Sequence, residues 1–384
     1  MKKCNVIFLG CTQGYGYSFS ACNTKVEFMA RGLIELGDIC IIHNGPSGKF
    51  GLTKPDYSNI MGVGTVVNYI QKGPWYVSAF LNYNQMVCDL NAFYKSEMIN
   101  WVVLEAPYLP FYYLEMLAAR KAGYKVAVIS HEWYRTTPDS NLILRWAKYL
   151  YSSVFGFGVD AILPISEYII RKIQKFGKPY LKVPVEADFK KTPSIKYKDK
   201  IFVYCVSAEY IRVILIVLNG FKRFILKYPS YKLVLVLGGH KTAVKNVFDV
   251  IERMNLSAYV VIKQKIPYSE LFHLYETASG LVVPLDPSNK QDEARFSQKI
   301  AEYLSSGTAI ISNNVGEVKH YFTNQKDLLL DEYSPEGFNR SFMWIAENPE
   351  KAVNLGHNGY ELGSQFFDYR VCARELHNFF NMVM

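Results

Sequence analysis

Short apolar runs recur along this chain, each bounded by glycine, proline or polar residues, and segments of helical period separate them. In the first half the runs are NVIFLG from residue 5, ICIIHN from 39, WVVLEA from 101, KVAVISH from 125 and AILPIS from 161. Continuous apolar runs of this length read as strands buried on both faces. Helical patterns between them predict parallel sheets covered by helices, an α/β fold. NTKVEFMARGLIELG, for example, puts Val26, Met29, Ala30 and Leu33 on one helix face and stops at Gly37. Residues 45 to 75 are rich in glycine, proline and asparagine and predict a loop excursion.

A second alternating series follows a change of texture. PYLKVPVEADFKKTPSIKYKDK carries prolines and lysines without a period, which marks a linker at 186–200. Beyond it come strands IFVYCVSA, KLVLVLGG, AYVVIKQ, GLVVPL and TAIIS, with helices VILIVLNGFKRFILKYP and YSELFHLYETA among them. The expected division is a domain over 1–185, a linker over 186–200, a domain over 201–364 and a terminal helix over 365–384 that crosses back to the first domain. With 384 residues, half of them hydrophobic, the chain is long enough for two cores. Two doubly wound domains of this kind bind ligands at the carboxyl ends of their strands, facing a central cleft.

The opening MKKCNVIFLGCTQGYG has an apolar run too short for a signal peptide and reads as a first buried strand. Basic residues interrupt LILRWAKYLYSSVFGFGVDAIL and IRVILIVLNGFKRFIL before either reaches the length of a membrane span. Seven scattered cysteines, with no CxxC and no histidine cluster nearby, predict a reducing cytoplasm, no disulfide framework and no metal. The net charge of +9 favours anionic partners such as nucleotides, acidic glycans or an anionic lipid surface. No basic and aromatic interleaving suggests nucleic acid, and no DxD motif beside an apolar strand suggests a metal-dependent transferase.

The densest constellation is EARFSQKIAEYLSSGTAIISNNVGEV at 293–318. Ile300, Tyr303 and Leu304 have helical spacing, Gly307 suits the position after a helix end, and TAIIS is the next strand. Ser297 is placed to cap this helix. The amides near Phe296, Ser297 and Gln298 would then be open donors at its positive end, a setting for phosphate or for an ordinary capped corner. Glu302 falls about one and a half turns further in.

The order of strand GLVVPL, polar loop, this helix, SSGTAIIS and VGEV resembles the donor-binding half of retaining GT-B glycosyltransferases of the family 4-like group. EYLSSG at 302–307 is similar to the EYLASG variant of that group, and RFSQKIAEYL to a branch with an F-P-x-K sequence. VLNGFKRFILKYPSYKLVLVLGG and IPYSELFHLYETASGLVVPL also resemble family segments, so the likeness covers residues 200–384 well and the first half loosely. It implies a GT-B fold of two Rossmann-like domains and a metal-independent, retaining transfer without a cofactor. By this resemblance Glu302 holds the ribose hydroxyls of a nucleotide sugar, and Gln298 and Lys299 stand at the end of the F-P-x-K sequence. The first glutamate of the E-x7-E pattern falls on Ala294, with Glu293 the nearby carboxylate. The diphosphate clamp falls on Ser207 and Arg212, so an arginine is replaced and Arg212 remains.

In the first domain the resemblance sets Gly14 and Gly16 of GCTQGYGYSFSACNTK beside the donor phosphates. His131, in VISHEW after a strand, stands where the family has a histidine close to the transferred sugar. Glu105 in LEAP and Glu132 are weaker candidates for the acceptor. The basic and aromatic segments RKAGYK, RWAKYLYSSVFGFG and RKIQKFGK read as packed amphipathic helices or as a surface for an anionic membrane. The expected activity is transfer of a sugar from a nucleotide-diphosphate donor to a glycan or lipid-linked acceptor, in surface polysaccharide synthesis, in the cytoplasm or at the inner membrane face. A non-catalytic sugar-nucleotide or glycan-binding partner and a nucleotide-sugar epimerase of the same fold are the alternatives, the first suggested by Ala294 and Ser207.

Overall fold

A computed structural model describes residues 1–10, 21–44, 65–67, 75–105, 111–136, 142–190, 193 and 198–383. The strands are β1 (Cys4–Leu9), β2 (Ile39–His43), β3 (Thr65–Val67), β4 (Ile99–Leu104), β5 (Lys125–Ser130), β6 (Ala161–Pro164), β7 (Asp199–Ser207), β8 (Lys232–Gly238), β9 (Val260–Lys263), β10 (Ala278–Val282), β11 (Ile310–Ser312) and β12 (Leu329–Leu330). They form two six-stranded sheets, ordered β3-β2-β1-β4-β5-β6 and β12-β11-β10-β7-β8-β9, and every pairing is parallel. Each sheet therefore starts in the middle, winds outward to one edge and then to the other. The order reverses at β1/β4 in one sheet and at β7/β10 in the other. The ten strands read from apolar runs are all present. The edge strand β3 was expected to be loop, and the two-residue β12 is too short to leave a pattern.

The chain divides into two compact units. The first is Met1–Glu186 with Ala294–Gln298 and Phe367–Met384, and the second is Ala187–Glu293 with Lys299–Phe366. The excursion of residues 294–298 into the first unit was not foreseen by a linear reading. Side chains explain it: Ser166 Oγ donates to the Ala294 carbonyl at 2.6 Å, Gln298 Nε2 donates to the Glu186 carbonyl at 2.5 Å, and Phe296 meets Phe367 edge-on at 5.5 Å.

In the first unit β1 and β4 are buried on both faces, and their two interior asparagines meet, Asn5 Nδ2 donating to Asn100 Oδ1 at 2.8 Å while Asn100 Nδ2 donates to the Lys95 and Met98 carbonyls. The terminal helix expected over 365–384 runs from Tyr369 to Met382 in the first unit, and it starts afresh after helix Pro349–Phe366 of the second unit because Asp368 caps it by accepting from the Arg370 amide at 2.8 Å. This last helix stacks Phe380 on Trp101 at 4.7 Å and pairs His377 Nδ1 with Asp38 Oδ2 at 2.7 Å.

The second unit is built on an aromatic cluster of Phe202, Phe221, Phe224, Tyr231 and Phe342. Helix Ile211–Phe224 approaches helix Pro335–Glu347 closely at Gly220, where a Cβ would lie 2.8 Å from Phe338 Cβ. The expected linker is partly core: Phe189 packs on Tyr360 at 5.4 Å, and the Tyr360 hydroxyl donates to its carbonyl.

One buried pair in the first unit is held at a cost. Lys25 is 2% exposed and donates to the Val183 carbonyl at 2.6 Å, and burial lowers its pKa to about 8 against the pull of Glu186. Glu186 is fully buried, neither carboxylate oxygen has a hydrogen-bond partner among the described residues, and desolvation raises its pKa to about 8 with Lys25 opposing. Between its ordinary value and pH 8 the unfolded chain has lost this proton and the folded chain still holds it, so stability falls as pH rises across that window. Glu186→Gln removes the slope. Urea unfolding from pH 5 to 8 is expected to show the variant gaining on the wild type as pH rises; parallel curves would show Glu186 to be ionised in the fold.

Candidate functional site

In the second unit the strand order reverses between β7 and β10, and the residues singled out by sequence lie on segments that follow these strands. Helix Gln298–Ser305 carries the EYLSSG motif, and almost every residue of the motif has a structural duty. Tyr303 is fully buried; its hydroxyl accepts from the Cys205 amide at 3.2 Å, and its ring meets Tyr275 at 4.8 Å. Leu304 is buried in the core. Ser305 and Ser306 turn their hydroxyls back to the carbonyls of Glu302 and Tyr303. Gly307 has φ +66°, and a Cβ there would lie 2.1 Å from Pro193 Cγ.

Glu302 is the exception. Its carboxylate has no hydrogen-bond or ion-pair partner among the described residues, and it is only partly buried. Desolvation raises its pKa to about 7, with Lys299 one turn earlier pulling the other way. Its charge in turn contributes to the raised pKa values of Tyr268, Tyr275 and Cys205, which places it among them. A carboxylate held without a partner in such surroundings can accept two hydrogen bonds from outside the chain.

The residues ahead of this helix are engaged. Phe296 is buried, the Gln298 amide nitrogen is spent on Glu186, and Ser297 and Lys299 are partly exposed. Their main-chain amides enter the first turn, where amides have no partner within the helix. Glu293 Oε2 accepts from the Gly316 amide and Oε1 from Lys319 Nζ, each at 2.6 Å. This carboxylate therefore stabilises the NNVGEV loop at Gly316, whose φ is +58°. Ala294 is fully buried.

At the carboxyl end of β7, Arg212 is exposed in the first turn of helix Ile211–Phe224. Ser207, in the position of the missing arginine, donates its hydroxyl to Glu209 Oε2, and the His240 amide donates to Glu209 Oε1 at 2.8 Å. The Ser207 bond, followed by the His240 amide, holds the Glu209 carboxyl down to about 2. Gly239, at φ +112°, leaves the room this carboxylate occupies, since a Cβ would lie 2.4 Å from Glu209 Oε2. Glu209 was missed by the sequence reading; its signal was a carboxylate set between Ser207 and Arg212.

In the first unit the order reverses between β1 and β4. Glu105 follows β4 and donates its amide to the Leu9 carbonyl at the end of β1; His131 follows β5. The two side chains meet, His131 Nε2 lying 3.6 Å from Glu105 Oε1, and both are buried. Cys22, at the start of helix Ala21–Glu35, brings its thiol beside them, the ligand atoms of all three residues lying within 4.8 Å of one another. Burial, then Glu105 and Glu132, keep that thiol protonated. Cys22 was also missed, because a single cysteine carries no spacing signal. Glu132 is partly buried beside Tyr134, whose phenol burial and Glu132 push up. Gly14 and Gly16 lie outside the described residues.

Residues 186–362 match the family model described as Glycosyl transferases group 1. No curated protein matches the chain by sequence. Among solved structures, HepE of Anabaena in complex with UDP is similar with a TM-score of 0.74 and 10% identity, covering 98% of this chain and 100% of that one. The same protein is known with UDP-glucose, and with UDP and glucose. Sucrose-phosphate synthase from Thermosynechococcus elongatus gives a TM-score of 0.72 at 14% identity over 99% of both chains. A glycosyltransferase from Rickettsia africae gives 0.70 at 13% identity over 100% of this chain and 98% of that one. At such identities the likeness establishes the fold. The protein thus has the GT-B fold of two Rossmann-like domains, and its C-terminal half carries the glycosyl transferases group 1 match.

Proposed function

We propose that the protein is a retaining, metal-independent glycosyltransferase that moves a sugar from a nucleotide-diphosphate donor to a hydroxyl of a glycan or lipid-linked acceptor, in surface polysaccharide synthesis. The observation that carries this reading is Glu302, the one polar side chain of EYLSSG without a partner, held partly buried on the helix that follows β10. The ribose diol of the donor supplies two donors to it. Arg212 and the first-turn amides from Phe296 to Lys299 take the diphosphate, whose charge grows as the glycosidic bond breaks. Preorganised donors of this kind lower the barrier by stabilising the leaving group. His131, with Glu105 behind it, serves the transferred sugar, and the acceptor hydroxyl attacks from the face the leaving group departs.

Two substitutions test this. Glu302→Ala and Arg212→Ala are each expected to reduce transfer by at least tenfold, from a charge-assisted bond of about 1.5–3 kcal/mol, while thermal unfolding stays cooperative. Full activity in both overturns the assignment. Binding of a nucleotide sugar without release of nucleotide, across a donor and acceptor panel, identifies a non-catalytic partner, and conversion of the donor without acceptor identifies an epimerase. Because a carboxylate accepts these bonds and a protonated acid does so less well, affinity is expected to rise with pH through 7. At pH 6 about a tenth of the free protein has Glu302 ionised, so nucleotide-sugar binding should be about tenfold weaker than at pH 8. Glu302→Gln should abolish that slope; titration by calorimetry reads it.

A setting at an anionic membrane is supported by helix Leu142–Val154. Its inward face packs Tyr151 on Tyr112 at 5.3 Å, but its outward face is also apolar: Leu142 is 68% exposed, Ile143 78%, Trp146 71% and Leu150 53%. Arg145 and Lys148 flank this face, and Arg135 lies over the Tyr149 ring at 4.0 Å. Apolar and aromatic side chains beside basic ones suit the interfacial zone of anionic lipid. Among the described residues no helix is long and apolar enough to cross a membrane. The protein is expected to float with vesicles containing phosphatidylglycerol and to lose this with Ile143→Glu and Trp146→Glu; wild type remaining unbound at low salt removes the membrane setting.

A further inference from the structure

We propose that Cys22, Glu105 and His131 form a binding site for a thiophilic divalent cation, Zn2+ first of all, and that the bound ion blocks sugar transfer by occupying His131; the blocking alone rests on the function proposed above. The three residues come from separate places, the start of helix Ala21–Glu35 and the ends of β4 and β5, yet their ligand atoms all lie within 4.8 Å of one another. Binding releases the Cys22 proton to solvent; thiolate, carboxylate and imidazole are then a ligand set Zn2+ selects, and three protein ligands leave a fourth position for water. Ligands about 2.1 Å from a tetrahedral Zn2+ stand about 3.4 Å apart, and His131 Nε2 is 3.6 Å from Glu105 Oε1.

The second observation concerns unmet hydrogen bonds. His131 Nε2 and Glu105 Oε2 are buried without a hydrogen-bond partner among the described residues, and the residues are 8% and 7% exposed. Leaving such atoms unpaired is costly, and a ligand removes the cost. A second cysteine, carboxylate and histidine cluster in the same unit shows what a satisfied group looks like. In Cys4, Asp38 and His377, Asp38 Oδ1 accepts from the Cys4 amide at 2.9 Å and Oδ2 pairs with His377 Nδ1 at 2.7 Å. Both carboxylate oxygens there are already engaged, so that cluster has the residue types of a metal site with a purely structural use. The Cys22 cluster has the same types with ligand atoms to spare.

The test uses the full chain, reduced and treated with chelator, and titrates Co2+ and then Zn2+. Co2+ is expected to develop a thiolate charge-transfer band and visible bands of a tetrahedral site, displaced by one equivalent of Zn2+. Cys22→Ser should remove the charge-transfer band and weaken Zn2+ at least tenfold, and Glu105→Gln should weaken it too. His377→Gln should leave both unchanged. Circular dichroism melts of each variant verify folding. No stoichiometric binding by the wild type, or binding undiminished in Cys22→Ser, overturns the site. In the transfer assay Zn2+ should inhibit the wild type and spare Cys22→Ser; equal inhibition of both overturns the blocking. If no variant transfers sugar under any condition the function fails, while the Co2+ spectrum still decides the site.

Discussion

Much of the second unit depends on one hydrogen bond, from the Cys205 amide to the Tyr303 hydroxyl. Strands β7 and β10 pair from Asp199 to Val203 with a register shift between Ala278 and Gly280, and the pairing ends at Leu281. Past that point the β7 amide would be a buried orphan beside the reversal of strand order. A tyrosine on the following helix supplies the acceptor, and Tyr275 closes the group by contacting Cys205 Sγ at 3.2 Å. The sheet's opening and the helix's position are thus one event. With Tyr303 directed inward by this bond, its neighbour Glu302 is turned to a different side of the helix.

The two sheets solve the same topological problem with different chemistry at the reversal point. At β1/β4 the chain leaves a buried imidazole, carboxylate and thiol in mutual reach. At β7/β10 it leaves a carboxylate on a helix, an exposed arginine and an acidic side chain that has taken over a loop amide. Glu209 is the more unusual element. Where an anion-binding loop would keep the His240 amide open, this chain fills it with its own carboxylate, and Ser207 assists. The His240 amide is thereby engaged within the chain, whereas Arg212 stays exposed in the first turn of its helix.

How far the sequence could be read follows from the range of the interactions. Strands such as β1, β4 and β8 were legible because burial on both faces demands an unbroken apolar run. Glu302 was singled out by the resemblance of EYLSSG to a family motif, whereas its lack of a partner among the described residues shows only in three dimensions. What escaped was long-range. The start of the terminal helix at Tyr369, four residues later than expected, depends on the single cap at Asp368. The burial of Glu186 shows in sequence only as a lone carboxylate between Val185 and Ala187, and the cluster of Cys22, Glu105 and His131 gathers residues 83 and 26 positions apart along the chain. Glu293 was singled out by its nearness to a motif, and its partners, Gly316 on a loop and Lys319 on the short helix Val318–Tyr321, are not predicted by spacing.

The short peptide 294–298 has a consequence for how the chain can be divided. Its carbonyl and side chains are held by Ser166, Glu186 and Phe367, yet the residue after it begins the second unit again. A fragment cut at Glu186 would therefore carry a first unit missing three of its own pieces of packing: this peptide, the cap at Asp368 and the helix that stacks on Trp101. The folded entity that evolution or an engineer can exchange is the entire polypeptide, and a shuffled second half would have to bring its neighbour's fasteners with it.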